Sequence, residues 1–135
     1  MRTLLQFASV LILAASATAS QAACFRCEPI VNVVDALVAA PPNKTVSADD
    51  VRASIIRAGA SLGWVIKEEG PGKLVGTLVL RKHTAVVDIP YSVTTFSIVY
   101  KSSIELDEAG GQIHKNYNGW ISNLAKGINA QVLLV

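Results

Sequence analysis

The sequence lacks a strong excess of charge of either sign, since its 135 residues include 12 lysines and arginines against 10 aspartates and glutamates. Proteins that bind nucleic acid or dock on anionic membranes usually present a strongly basic surface. The near balance of charge argues against nucleic acid as a partner. After residue 23 the chain also lacks any apolar run long enough to cross a bilayer as a helix.

Motifs for metal binding and nucleophilic catalysis are absent as well. The only two histidines, His83 and His114, form no His-x-x-x-His or Glu-x-x-His pair, and a zinc site needs a second ligand pair beyond Cys24 and Cys27. No Gly-x-Ser-x-Gly nucleophile motif occurs either. The sequence therefore predicts no metal and no cofactor, and it indicates no enzymatic activity.

Residues 1–23 have the pattern of a secretory signal peptide. Arg2 supplies a positive charge, an apolar run follows at 4–15, and small residues stand at 17–19. The apolar run is too short for a stable membrane anchor. We expect cleavage near residues 19–23, export, and a periplasmic location.

Cys24 and Cys27 follow the predicted signal peptide directly, and two interpretations of them remain open. An oxidising compartment favours a disulfide between them. Ala22 and Ala23 also suit lipid modification of Cys24, although Gln21 stands where lipoprotein signals usually carry a large aliphatic residue. Membrane attachment is expected only if Cys24 is lipidated.

Residues 24–46 are predicted to form an extended N-terminal segment and a linker. The apolar and β-branched stretch 30–38 suits an edge strand, and Pro41 and Pro42 then interrupt regular structure. The α+β domain is predicted to span residues 47–135.

The first helix of this domain is predicted to start at Ser47. Ser47 and Asp50 have the spacing of a capping box. Helical periodicity then marks an apolar stripe, and Gly63 is suited to a left-handed C-terminal cap. The stripe consists of Val51, Ile55, Ala58 and Leu62.

Period-two apolar alternation predicts four strands at 64–68, 73–81, 83–91 and 96–102, joined by short turns into an antiparallel meander. A second helix is predicted to begin between His114 and Asn116. The fold class is therefore α+β in the order helix, four-stranded meander, helix, with both helices on one sheet face as a two-layer sandwich. The alternative is one helix on each face, which would bury four valines of the second face. These are Val75, Val79, Val86 and Val99.

Two tracts, residues 81–92 and 113–121, resemble a small family of exported proteobacterial proteins of uncharacterised activity, often described as lipoproteins. The first reads Arg-Lys-His-Thr-Ala-Val-Val-Asp-Ile-Pro-Tyr-Ser and the second Ile-His-Lys-Asn-Tyr-Asn-Gly-Trp-Ile. The resemblance extends from about residue 47 to 128. It implies export, with lipidation in several members, and it implies no activity.

The candidate ligand-binding residues combine imidazole, amide and aromatic groups, which can bind sugars or peptide strands. They are His83, His114, Asn116, Tyr117 and Asn118. Structural roles compete at each position, because His114 can cap a helix and Tyr117 lies on an apolar stripe. The sequence predicts a non-catalytic cell-envelope module that binds a protein or a cell-wall component. The alternatives are a lipid-anchored scaffold or tether and a small histidine-dependent hydrolase.

Overall fold

The computed structural model describes residues 15–16 and 24–135, so the predicted signal peptide lies outside the described residues except at positions 15 and 16. Two helices and seven strands are present in the described part. In chain order they are β1 (Cys27–Pro29), β2 (Val33–Leu37), α1 (Ala48–Ser61), β3 (Trp64–Glu68), β4 (Lys73–Leu80), β5 (His83–Pro90), β6 (Thr95–Ile104), β7 (Gln112–His114) and α2 (Asn116–Val132).

The main sheet is antiparallel and has five strands in the order β2-β6-β5-β4-β3. The α+β class is confirmed, and the antiparallel sheet has one strand more than the predicted four, within the stretch 30–38 that suits an edge strand. Strand β2 adds a fifth strand beside β6, with Val33 opposite Ile98 and Leu37 opposite Thr95. This pairing satisfies backbone groups of β6 that a four-stranded sheet would leave open at its edge.

A small second sheet fastens the N-terminal segment to the loop before α2. Strand β1 pairs with β7, and Cys27 lies opposite His114. Residues 112–114, for which the sequence predicts no strand, form β7 directly before α2. The segment 24–46, expected to be an extended segment and linker, thus contributes β1 and β2 to the folded structure.

Helix α1 begins as the sequence predicts. The Ser47 side chain accepts a hydrogen bond from the Asp50 amide at 3.0 Å, and the Asp50 carboxylate accepts one from the Ser47 amide at 2.9 Å. These bonds to Ser47 lower the pKa of Asp50. Gly63 follows the helix with φ of 87°, a left-handed conformation that glycine adopts without steric cost.

Both helices and one face of the sheet contribute to a single hydrophobic core. On the other face Val79 is 64% exposed and the three remaining valines are only half-buried, so neither described helix covers it. Helix α2 buries most of its predicted stripe, while Trp120 lies at the margin and is half-buried. The fully buried residues of that helix are Tyr117, Ile121, Leu124, Ile128 and Val132.

Candidate functional site

Helix α2 holds the N-terminal segment through two asparagines that lie three turns apart. Asn118 accepts a hydrogen bond from the Val31 amide at 3.0 Å and donates to the Pro29 carbonyl at 2.9 Å. Asn129 accepts from the Ala39 amide at 2.9 Å and donates to the Leu37 carbonyl at 3.2 Å. Residues 29–39 therefore lie along the helix and are fixed to it at both ends.

An open groove of about 610 Å³ lies between this segment and α2. Its volume is within the range of small-ligand and peptide sites. Its surface is mostly apolar, with polar and charged groups confined to a few positions. The lining residues are Glu28, Pro29, Val31, Val33, Asn118, Ile121, Ser122, Ala125 and Lys126.

Several apolar side chains of the N-terminal segment are exposed. Phe25 is 99% exposed, and Leu37 is 76% exposed. Val34 and the groove residue Val31 are also exposed.

The two histidines contact the adjacent residues Glu105 and Leu106, one through its ring and the other through its backbone amide. The His83 Nδ1 atom lies 2.6 Å from the Glu105 carbonyl oxygen, and the His114 backbone amide donates to the Leu106 carbonyl at 2.9 Å. The His114 ring accepts a hydrogen bond from the Asn116 amide at 3.2 Å and so caps the start of α2, as the sequence suggests. In the described part of the chain, neither imidazole forms an ion pair with a carboxylate.

The remaining candidates occupy three different environments. Tyr117 is fully buried, with its ring against that of Tyr100 at a centroid distance of 5.7 Å. Asn116 is exposed at the helix start. Only Asn118 lines the groove. Of the five predicted residues, the groove therefore includes Asn118 alone.

Cys24 and Cys27 form a disulfide with a Cα–Cα distance of 5.3 Å. The bridge closes a short loop that carries the exposed Phe25 and leads directly into β1. The sulfur of Cys24 is bonded to that of Cys27 in this structure.

Charged side chains on the uncovered sheet face neutralise one another. Glu69 lies 3.4 Å from both Lys73 and Lys101, and Asp88 lies 3.5 Å from Lys101. Lys101 lowers the pKa of Glu69, and Asp88 in turn raises the pKa of Lys101. Glu68 points to the opposite face and pairs with Arg52 of α1 at 3.1 Å. The adjacent Glu68 and Glu69 therefore lie on opposite sides of the sheet and pair with different cations.

Of the residues that line the groove, the sequence predicts only Asn118 as a binding residue. A signal was present in α2, where small or polar residues recur at helical spacing beside the apolar stripe. These residues are Asn118, Ser122, Ala125 and Asn129. Such a stripe allows another chain segment to approach the helix closely, and residues 29–39 do so.

Comparison of the chain with models of protein families, with curated proteins and with solved structures found no match. None of the helices formed by the described residues is both long enough and apolar enough to span a membrane. Within residues 15–16 and 24–135, no group of three or more histidine, cysteine, aspartate or glutamate side chains is arranged to hold a metal ion.

Proposed function

We propose that the protein is an exported, non-catalytic module of the cell envelope that binds a protein or a cell-wall component. The observation that carries this proposal is the apolar groove between α2 and residues 28–33. A concave apolar surface with a few polar groups is the usual form of a binding site. The exposed Val31 in the lining adds apolar contact area for a macromolecule.

The Cys24–Cys27 disulfide supports the export part of the proposal, because disulfides persist in oxidising compartments such as the periplasm. A lipid-anchored tether is the alternative, and it requires Cys24 to carry a thioether instead. Mass spectrometry of the mature protein separates the two. We expect a disulfide and no added acyl mass. An acylated Cys24 would instead identify the protein as the lipid-anchored tether.

Binding is tested by filling the groove. Ser122 is exposed and lines it, so Ser122→Phe should occupy the apolar space without disturbing the core. The neighbouring Asn123 is also exposed but does not line the groove, which makes Asn123→Phe the matched control. Retention of each purified variant on isolated peptidoglycan and on immobilised envelope proteins would be compared with that of the natural sequence.

We expect Ser122→Phe to lose retention on one of these two materials and Asn123→Phe to keep it. Melting temperatures of both variants would establish that they are folded. Equal retention of the two folded variants on both materials would contradict a binding role for the groove.

A further inference from the structure

The groove carries opposite charges towards its two ends. Glu28 lies beside Asn118, whose side-chain amide donates to the Glu28 carboxylate at 2.9 Å. Lys126 lies eight residues further along α2, and a rise of 1.5 Å per residue separates positions 118 and 126 by about 12 Å. The groove therefore has an acidic end and a basic end.

Both charges are available to a ligand. Among the described residues, neither Glu28 nor Lys126 takes part in an ion pair. Between them the lining is apolar and includes Val31, Ile121 and Ala125. A ligand that complements this surface needs an apolar middle, a cationic group near Glu28 and an anionic group near Lys126.

The separation of positions 118 and 126 matches an extended peptide. At about 3.3 Å per residue, side chains four positions apart in an extended chain lie about 13 Å apart and on the same side of it. Val33, one of the lining residues, belongs to β2, an edge strand with a neighbouring strand on one side only. Edge strands present backbone groups that can pair with an extended chain.

We propose that the groove binds an extended apolar peptide segment of a partner protein, about three residues long and flanked by a basic and an acidic side chain. The basic side chain lies towards Glu28 and the acidic side chain towards Lys126. This inference rests on the proposed binding function of the same groove and adds the chemical class of the ligand.

The test uses a fluorescent pentapeptide of lysine, three valines and aspartate, in that order, with both termini blocked. A second peptide replaces the lysine and aspartate by glutamine and asparagine. Binding to the protein without its signal segment is followed by fluorescence anisotropy. Lys126→Glu changes the basic end of the groove, and Lys67→Glu on the exposed edge strand β3 makes the same change in net charge elsewhere.

We expect the charged peptide to bind more tightly than the neutral one, and Lys126→Glu to weaken its binding about tenfold. Lys67→Glu should leave binding unchanged, and Ser122→Phe should abolish it for both peptides. Absence of peptide binding, or equal effects of Lys126→Glu and Lys67→Glu, would overturn the inference. So would dodecanoate displacing the peptide and binding more tightly, because the occupant would then be an acyl chain.

Failure of this inference can be told apart from failure of the proposed function. In one outcome, Ser122→Phe loses retention on the envelope material while Lys126→Glu is retained as well as the natural sequence. In that case the binding role of the groove stands and the charged-peptide ligand is refuted. If Ser122→Phe has no effect on retention or on peptide binding, both proposals fall together.

Discussion

The Asn129 side chain accepts a hydrogen bond from the Ala39 backbone amide at 2.9 Å, and the two residues are 90 positions apart in the sequence. The same side chain donates to the Leu37 carbonyl, so it satisfies both kinds of backbone group just beyond the end of β2. Asn118 does the same near the start of the segment. One wall of the groove is therefore held by two side chains of α2.

Replacing Asn129 by alanine should destabilise the protein by about 1–3 kcal/mol, because it leaves the half-buried Ala39 amide without its partner. Asn123→Ala is the control, since Asn123 is exposed on the same helix and gains the same helix propensity. Urea unfolding measures both. A loss of stability no larger for Asn129→Ala than for the control would show that this contact contributes little.

Tyr117 should make stability depend on alkaline pH. Its hydroxyl is buried with no hydrogen-bond partner among the described residues, and burial raises the pKa of Tyr117. The pKa of Tyr117 in the folded state lies above the unfolded value of about 10. The contribution of Tyr117 to the free energy of unfolding is therefore complete below about pH 10 and is lost as the pH rises further.

Tyr117→Phe keeps the ring and removes the titrating group. We expect equal or greater stability at neutral pH and a smaller loss between about pH 9 and pH 11. Urea unfolding at both pH values checks this, with Tyr91→Phe, at a half-buried site, as the control expected to keep the alkaline loss. An unchanged alkaline loss in Tyr117→Phe would assign the effect to other groups.

Two helical glycines should respond in opposite ways to alanine. A Cβ atom on Gly119 would meet nothing within 4 Å, so Gly119→Ala should stabilise the protein by about 0.5–1 kcal/mol. A Cβ atom on Gly59 would lie 2.5 Å from Cγ1 and 2.8 Å from Cδ1 of Ile66, and Gly59→Ala should therefore destabilise by about 1–3 kcal/mol. Thermal unfolding measures the stability of both variants. A gain in stability at both positions would mean that α1 and β3 are packed less closely than the Gly59–Ile66 distances indicate.

Loss of the disulfide should have little effect on folding. The bridge closes a loop of about four residues, and such short loops gain the least stability from cross-linking. The β1–β7 pairing and the Asn118 contacts also hold the segment without it. We expect Cys24→Ser combined with Cys27→Ser to change the melting temperature by less than about 5 °C, near 1 kcal/mol. A larger drop would show that the disulfide positions β1.

Much of the fold was predictable because its signals are local. The capping box at Ser47, the left-handed Gly63 and the alternation along 73–80 each depend on residues a few positions apart, and the structure contains all three. The stretch 30–38 was predictable only in part. Its apolar, β-branched composition suits an edge strand, and β2 at Val33–Leu37 is one. The sequence does not show that this strand joins β6, nor that its register is shifted by a bulge around Asp35, which has φ of 49°.

The candidate site was also predictable from the sequence only in part. From the sequence, the helical period placed Tyr117 on the buried stripe of α2 and left Asn118 beside it. Only the tertiary structure decided that Asn118 meets Pro29 and Val31, and that Glu28 and Lys126 lie towards opposite ends of one apolar groove. Sequence periodicity reports which side of an element is buried, because that depends on neighbours three or four residues away. It carries no information on which distant segment packs there, since that choice depends on backbone pairing and shape across some ninety residues.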